Sequence, residues 1–493
     1  MKKSMPKIRL EARVLDTEHT AHALLIPIYE KANELGLFER LGAGLKIAMR
    51  TNDYTWLDKL KTLWASIVLG CSHTVEINTV LGAQESALAS VFGLERFPDQ
   101  SGINRLLHRV TPDSVTQVRQ VAFELLVRHS RARDRWRWLR LPGGRRLLVV
   151  DIDQRGLVVS SRRYELAEAA FFGTKRRRRG YRLTLAYLGG DVGEVLDEHF
   201  DAGTSTPIAR LPEVLERIAE ACQAWGIAPS DVLIRADAAY GTPAIVAQIL
   251  AHGFEYLIKG LSQAKAQALM RAVGLEAVFE RSGEGDEQRW VTDLGATQHV
   301  GRSTGRPRII ARTIVGMWVH EIGPKGPRPG PTSRQRRERE GRGRRRVATP
   351  EYWLTSLGAE DLPAGVAIEV YNARQTIEAY FKAEQQALGA RYVRTHAWAG
   401  AALFQWLVAM TNNVLRWAQQ QLFAATELET AGIKRLTKEA MHVAGRVRRL
   451  DTEIIITLER RHPLVARLLR GWRQLIAESP THPQPLALHP SPT

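Results

Sequence analysis

The stretch RRLLVVDID, residues 145–153, decides the class of fold. Behind Gly143 and Gly144 it runs through Leu147, Leu148, Val149 and Val150, an apolar and partly β-branched run that reads as a buried strand. Its end is not apolar. Asp151 and Asp153 stand two residues apart, and because side chains alternate along a strand, both lie on one side of it. LVVSS and YRLTLAYLGG read as further strands, separated by the basic stretch TKRRRRG. A helix is predicted from roughly Pro207 to Trp225, and DVLIRADAAYG is another apolar strand that closes on Asp237. TPAIVAQILAHG follows as a helix and FEYLIKG as a strand. Three strands, then helix, strand, helix, strand predicts an α/β fold with a mixed sheet.

Outside this block the pattern changes. Residues 20 to about 135 read as mostly helical, with YTWLDKLKTLWASIVLG and TPDSVTQVRQVAFELLVRHS at helical period and FPDQSGINRLLHRV giving a turn and a short basic helix. From 263 to 350, QRWVTDL and RPRIIARTIVGMWV read as strands leading into GPKGPRPGPTSRQRREREGRGRRRV. Between Lys325 and Arg346 ten cations face only Glu338 and Glu340, so this segment is expected to be a flexible basic loop. EYWLTSL resumes as a strand, YNARQTIEAYFKAEQQ (371–386) reads as one helix, and AGAALFQWLVAMTNNVLRWAQQQL as a second. The tail after about 475 is Pro-rich and expected to lack order.

Composition narrows the function. The chain has 493 residues, 44% hydrophobic and 25% charged, the profile of a soluble globular protein able to bury a large core. No run of about 18 uncharged apolar residues is present, and no apolar segment follows the basic N-terminus, so neither a membrane span nor a secretory signal is expected. Only Cys71 and Cys222 occur, which excludes a disulfide framework and a cysteine-based zinc site. A cytoplasmic location follows. The net charge of +18 suits a polyanionic partner such as nucleic acid, although an Arg-favouring codon bias would give the same figure.

Taken singly, Asp151, Asp153 and Asp237 read as turn formers or helix caps. Together they stand at strand ends, where open α/β sheets collect ligands. The 371–386 helix adds Glu378, with Arg374 and Lys382 one turn to either side, above an apolar stripe of Val370, Ile377, Phe381 and Leu388. Two i,i+4 surface pairs would explain those charges equally well if the helix stood alone. Three convergent carboxylates instead suit phosphodiester chemistry. They hold Mg²⁺, a hard cation that needs no Cys or His, and paired Mg²⁺ ions neutralise the attacking and leaving oxygens.

Strand Asp, strand Asp and helical Tyr-x2-Arg-x3-Glu (Tyr371, Arg374, Glu378) resemble the DDE transposases of bacterial insertion sequences, in the branch that carries this signature. RADAAYG around Asp237 is similar to that branch's block at its second Asp. The likeness runs from about 144 to 425 and implies an RNase H-like core with a strand-rich insertion before the glutamate. It implies Asp153, Asp237 and Glu378 as catalytic, metal-holding residues, with Asp151 the alternative first position. The family's Asp-x-Thr frame ranks Asp153 ahead, although Arg155 stands at the Thr position and Gln154 between. Tyr371 and Arg374 are implied as DNA contacts, together with Lys382, because the usual Lys seven residues after the Glu is Gln385 here.

The expected function is therefore metal-dependent cleavage at transposon ends and strand transfer into target DNA, with Mg²⁺, or Mn²⁺ in its place. The expected partners are double-stranded DNA, as terminal inverted repeats and target, and a second copy of the chain in the DNA complex. Nucleoid association in a bacterial cytoplasm goes with them. The rivals are a non-catalytic DNA-binding protein derived from a transposase and an RNase H-like nuclease without joining activity. The expected organisation is a helical DNA-binding region (1–140), a core first half (141–262), a strand-rich insertion with the basic loop (263–350), a core second half (351–425) and a helical C-terminal region with its tail (426–493).

Overall fold

The computed structural model describes residues 17–50, 53–173, 177–282, 288–301, 307–322, 345–424, 426–450 and 453–468. The basic segment Lys325–Arg344 and the Pro-rich tail lie outside the described residues. The chain divides into two compact units, one of residues 122–381 and one of residues 1–121 with 382–493.

The unit of residues 122–381 is built on one large mixed sheet. Its strands are β1 (Arg146–Val158), β2 (Glu168–Phe171), β3 (Arg177–Leu188), β4 (Glu194–Ala202), β5 (Val232–Ala236), β6 (Glu255–Lys259), β7 (Glu280–Ser282), β8 (Arg289–Val300), β9 (Arg308–Ile322) and β10 (Arg345–Thr355). They lie in the order β2-β3-β1-β5-β6-β10-β9-β8-β7, with β4 also on β3 and the short strand Leu139–Arg140 on β1. β1, β5 and β6 are mutually parallel, and β3 runs antiparallel to β1 and to β4. The series β4-β3-β1-β5-β6 is a mixed sheet consistent with the RNase H-like core that the resemblance implies, although β4 was not among the strands expected.

The strands of the 263–350 segment extend this sheet beyond β6, all antiparallel. Their apolar side chains share one core with it. Val149 of β1, Leu233 of β5 and Leu257 of β6 pack with Val291, Ile314 and Trp353 under the helix Ala364–Asn372, which contributes Ala367, Ile368 and Val370. That continuous apolar floor fixes the helix, and hence the residues that follow it, over the parallel strands.

Three details depart from the sequence reading. LVVSS is not a separate strand over its length, because β1 runs unbroken to Val158. β4 is absent from the reading because EVLDEHFDA carries five titratable residues, which ion pairs such as Glu194–Arg131, Asp197–His199 and Asp201–Arg210 make compatible with a buried strand. The helix expected over 371–386 is two helices, Ala364–Asn372 and Gln375–Gln386. At the break the α ladder gives way to three-residue bonds, Arg374 N–H to Tyr371 O at 3.0 Å and Ile377 N–H to Arg374 O at 3.0 Å.

In the other unit, helices Leu25–Glu34, Trp56–Val68 and Gln100–Arg109 pack around Trp398–Leu422. That last helix is buried on nearly every side, which explains its all-round apolar sequence. Thr55 and Asp58 form a reciprocal cap on Trp56–Val68. No helix among the described residues is long and apolar enough to cross a membrane.

Candidate active site

Parallel register brings the sequence DID beside RAD. Asp151 pairs with Arg235 and Ile152 with Ala236, so the next residues along β1 and beyond β5 are Asp153 and Asp237. Two neighbouring side-chain positions therefore face the same way, one an opposite-charge pair and the next a like-charge pair.

The first position is closed. Asp151 is 0% exposed, and its carboxylate accepts from Arg235 Nε at 2.7 Å and Nη2 at 2.9 Å. Thr376 Oγ1 donates to the same group at 3.2 Å, while Arg235 Nη1 donates to the Val370 carbonyl at 2.5 Å. This bidentate pair ties β1 and β5 to both helices of the 364–386 segment. Burial pushes the Asp151 carboxyl above its usual range, against the pull of Arg235. Gly189 leaves the space for it, since a Cβ there would stand 2.5 Å from Asp151 Oδ2.

The second position is open on one side. Asp153 accepts from Arg374 Nη1 at 2.8 Å and from the Gln154 amide at 2.8 Å. Burial raises its pKa, and the charge of Asp237 adds to that rise against the pull of Arg374. Asp237 caps the turn Ala238–Tyr240, accepting from the Ala239 amide at 2.9 Å. Arg374 Nη2 reaches Glu378 Oε1 at 3.3 Å, and Glu378 is 47% exposed. The guanidinium is thus the cation that links Asp153 to Glu378, and it stands 5.9 Å from the Tyr371 ring. Burial pushes the Tyr371 hydroxyl up to about 12.

Asp153, Asp237 and Arg374 are therefore brought together, with Glu378 joined through Arg374. Asp151 lies beside them but is satisfied by Arg235. Among the described residues no three His, Cys, Asp or Glu side chains gather tightly enough to hold a metal ion. The Asp153–Asp237 pair fits a hard divalent cation in donor type and charge, and Glu378 would complete the set only where Arg374 releases it. Lys382 is exposed and makes no ion pair among the described residues.

Two residues of the site were absent from the sequence reading. Arg235 had a visible signal, since an arginine inside the apolar run VLIRA demands a buried carboxylate. Tyr240 had none. It is buried, its hydroxyl has no hydrogen-bond partner among the described residues, and burial together with the charges of Asp153 and Asp237 raises its pKa.

Residues 145–414, more than half of the chain, match the Transposase DDE domain family. The chain belongs to that family. No curated protein matches it. DDE transposases act on DNA and generally use divalent metals, which agrees in kind with the carboxylates of this DDE domain. Only Asp237 follows a strand end; Asp151 and Asp153 lie in the middle of β1, which continues to Val158, rather than at its end as the sequence reading placed them.

Proposed function

We propose that the chain is an active transposase that cleaves DNA at the ends of a bacterial insertion sequence and joins the freed 3′ ends to target DNA. The observation that carries this reading is the like-charge pair Asp153–Asp237, bridged by Arg374 to Glu378. Two carboxylates side by side repel one another, and the turn cap made by Asp237 and the Arg374 pair made by Asp153 do not require them to be adjacent. Bound Mg²⁺ would neutralise the attacking and leaving oxygens of the phosphodiester and activate the nucleophile.

Asp153 and Asp237 would hold it, and Glu378 would join them from the helix. Arg374 has a second task in this scheme. It neutralises Asp153 and Glu378 in the structure, and a DNA phosphate offers the same bidentate partner. Moving from carboxylate to phosphate would free both carboxylates and orient the strand beside them, with Tyr371 lining the approach. Asp151 would brace the site through Arg235. The Tyr-x2-Arg-x3-Glu branch, the pairing of two copies on DNA, the five-part organisation given above and a place in the bacterial cytoplasm belong to the same reading.

The test is end cleavage by the full chain on a duplex that carries the DNA flanking its own gene. Wild-type protein should nick at the ends when Mg²⁺ is added, and Glu378→Gln should bind the duplex but leave it intact. Binding without nicking by the wild type in Mg²⁺ or Mn²⁺ would favour a non-catalytic descendant. Nicking without joined product would favour a nuclease.

A further inference from the structure

The catalytic strand does not stop at its carboxylates. β1 passes Ile152, where β5 ends beside it at Ala236, and runs on to Val158 with β3 as its antiparallel neighbour. β3 reaches further still. Its first residues pair with β2, Phe171 opposite Arg177 and Ala169 opposite Arg179. These strands form an arm that extends the sheet past the candidate site.

Register and alternation fix which side chains the arm turns to the side of Asp153. Leu185 stands opposite Asp153, so Leu183, Tyr181, Arg179 and Arg177 follow on that face, and Phe171 shares it as the partner of Arg177. The other face holds the anchor. The Phe172 ring lies where side chains would stand on three glycines, 2.1 Å from a Cβ built on Gly156, 2.9 Å from one on Gly180 and 3.0 Å from one on Gly203. The Arg182 guanidinium covers that ring at 4.7 Å. Seating Phe172 turns its neighbour Phe171 to the opposite face, where it is 55% exposed.

The charge around Phe171 is one-sided. Arg162, Arg163, Arg177, Arg178 and Arg179 stand against two carboxylates, Glu165 and Glu168. Arg177 is exposed and held across β2 by its bond to the Ala169 carbonyl at 2.9 Å. Cations alone would suit any polyanion, but a single exposed ring raised among them suits stacked bases. Apolar side chains that enter a base step unstack it and kink the duplex. From Leu185 to Arg177 is eight residues, about 27 Å along an antiparallel strand and about eight base steps of a duplex.

We propose that this arm is a DNA wedge: Phe171 enters and unstacks a base step about eight base pairs from the cleaved bond, with Arg177 on the adjoining phosphate. The choice of substrate and the place of the cut rest on the transposase reading.

The test uses the full chain in EDTA, so that cutting plays no part, on an end-containing duplex that carries 2-aminopurine at one position at a time. Positions run roughly four to twelve base pairs to either side of the element's end. 2-Aminopurine brightens when it is unstacked. The wild type should raise its fluorescence severalfold at a position about eight base pairs out and leave the nearer positions dark. Phe171→Ala should abolish the rise while keeping the wild-type thermal midpoint, because the ring is exposed, and Phe171→Trp should restore it. Arg177→Ala should lower the rise and reduce the log–log salt slope of binding by roughly one unit. No rise at any position would overturn the proposal, and so would a rise that Phe171→Ala leaves intact. If Phe171→Ala leaves the rise intact but lowers the assembly mass in light scattering, the ring belongs to a second copy of the chain and the wedge falls. A failed cleavage assay leaves the fluorescence result standing, and a missing rise leaves the cleavage reading standing.

Discussion

Replacing Asp151 and replacing Asp153 should have opposite consequences, although the two residues share one strand face. Asp151 is fully buried and its bidentate partner Arg235 is almost as deep. Asp151→Asn leaves the guanidinium charged, buried and facing an amide that offers a donor where an acceptor stood. Breaking one side of a buried pair costs about 3–5 kcal/mol, and Arg235→Met should cost a similar amount by stranding the carboxylate. The double variant Asp151→Leu/Arg235→Met removes both charges. It should recover most of the loss, leaving about 1–3 kcal/mol because the Val370 carbonyl loses its donor. Asp153→Asn removes a partner of Arg374 but also a like charge beside Asp237, and Glu378 still faces the guanidinium, so it should cost less than Asp151→Asn, about 1–2 kcal/mol. The assay is urea unfolding of the full chain followed by tryptophan fluorescence, to which Trp353 in the shared core contributes. Calorimetry should place the single Asp151 variant on the order of 10 °C lower. Mn²⁺ binding should survive in folded Asp151→Asn and vanish in Asp153→Asn. A stable Asp151→Asn that no longer binds Mn²⁺ would refute the reasoning and make Asp151 the first ligand.

Gly189→Ala should mimic the loss of that pair in part, costing about 1–3 kcal/mol, because its methyl group enters the space beside Asp151 Oδ2; unchanged urea unfolding would show that the strands simply shift apart. Arg374→Gln should tighten Mn²⁺ binding without DNA by about tenfold, equivalent to about 1.4 kcal/mol of lost competition for Asp153 and Glu378. Unchanged affinity in an Mn²⁺ titration followed by electron spin resonance would mean that the guanidinium does not compete for those carboxylates. Lys382→Ala should weaken joining more than Gln385→Ala and lower the salt slope of end binding by roughly one unit. Equal, negligible effects would show that the exposed Lys382 does not touch DNA.

The local signals in the sequence were strong and the non-local ones silent. The apolar run before Asp151, the run before Asp237 and the alternation that sets Asp151 and Asp153 on one face are all local, and they gave the sheet and its acidic end. Which aspartate stands free is decided by a partner 84 residues away, through the register that sets Arg235 against Asp151. No spacing rule within β1 contains that information. The break at Ala373–Arg374 was hidden because every residue from 371 to 386 tolerates a helix. There the bonds of Arg374 to Asp153 and of Thr376 to Asp151 override propensity.

The most direct measurement of the central claim is a side-by-side cleavage assay of wild-type protein, Asp153→Asn, Asp237→Asn and Glu378→Gln on end-containing duplex, with and without Mg²⁺. The expected result is nicking at the ends by the wild type only when Mg²⁺ is present, and no nicking by any of the three variants while each still binds the duplex. Near wild-type nicking by Asp237→Asn, or nicking by the wild type that persists in EDTA, would contradict it.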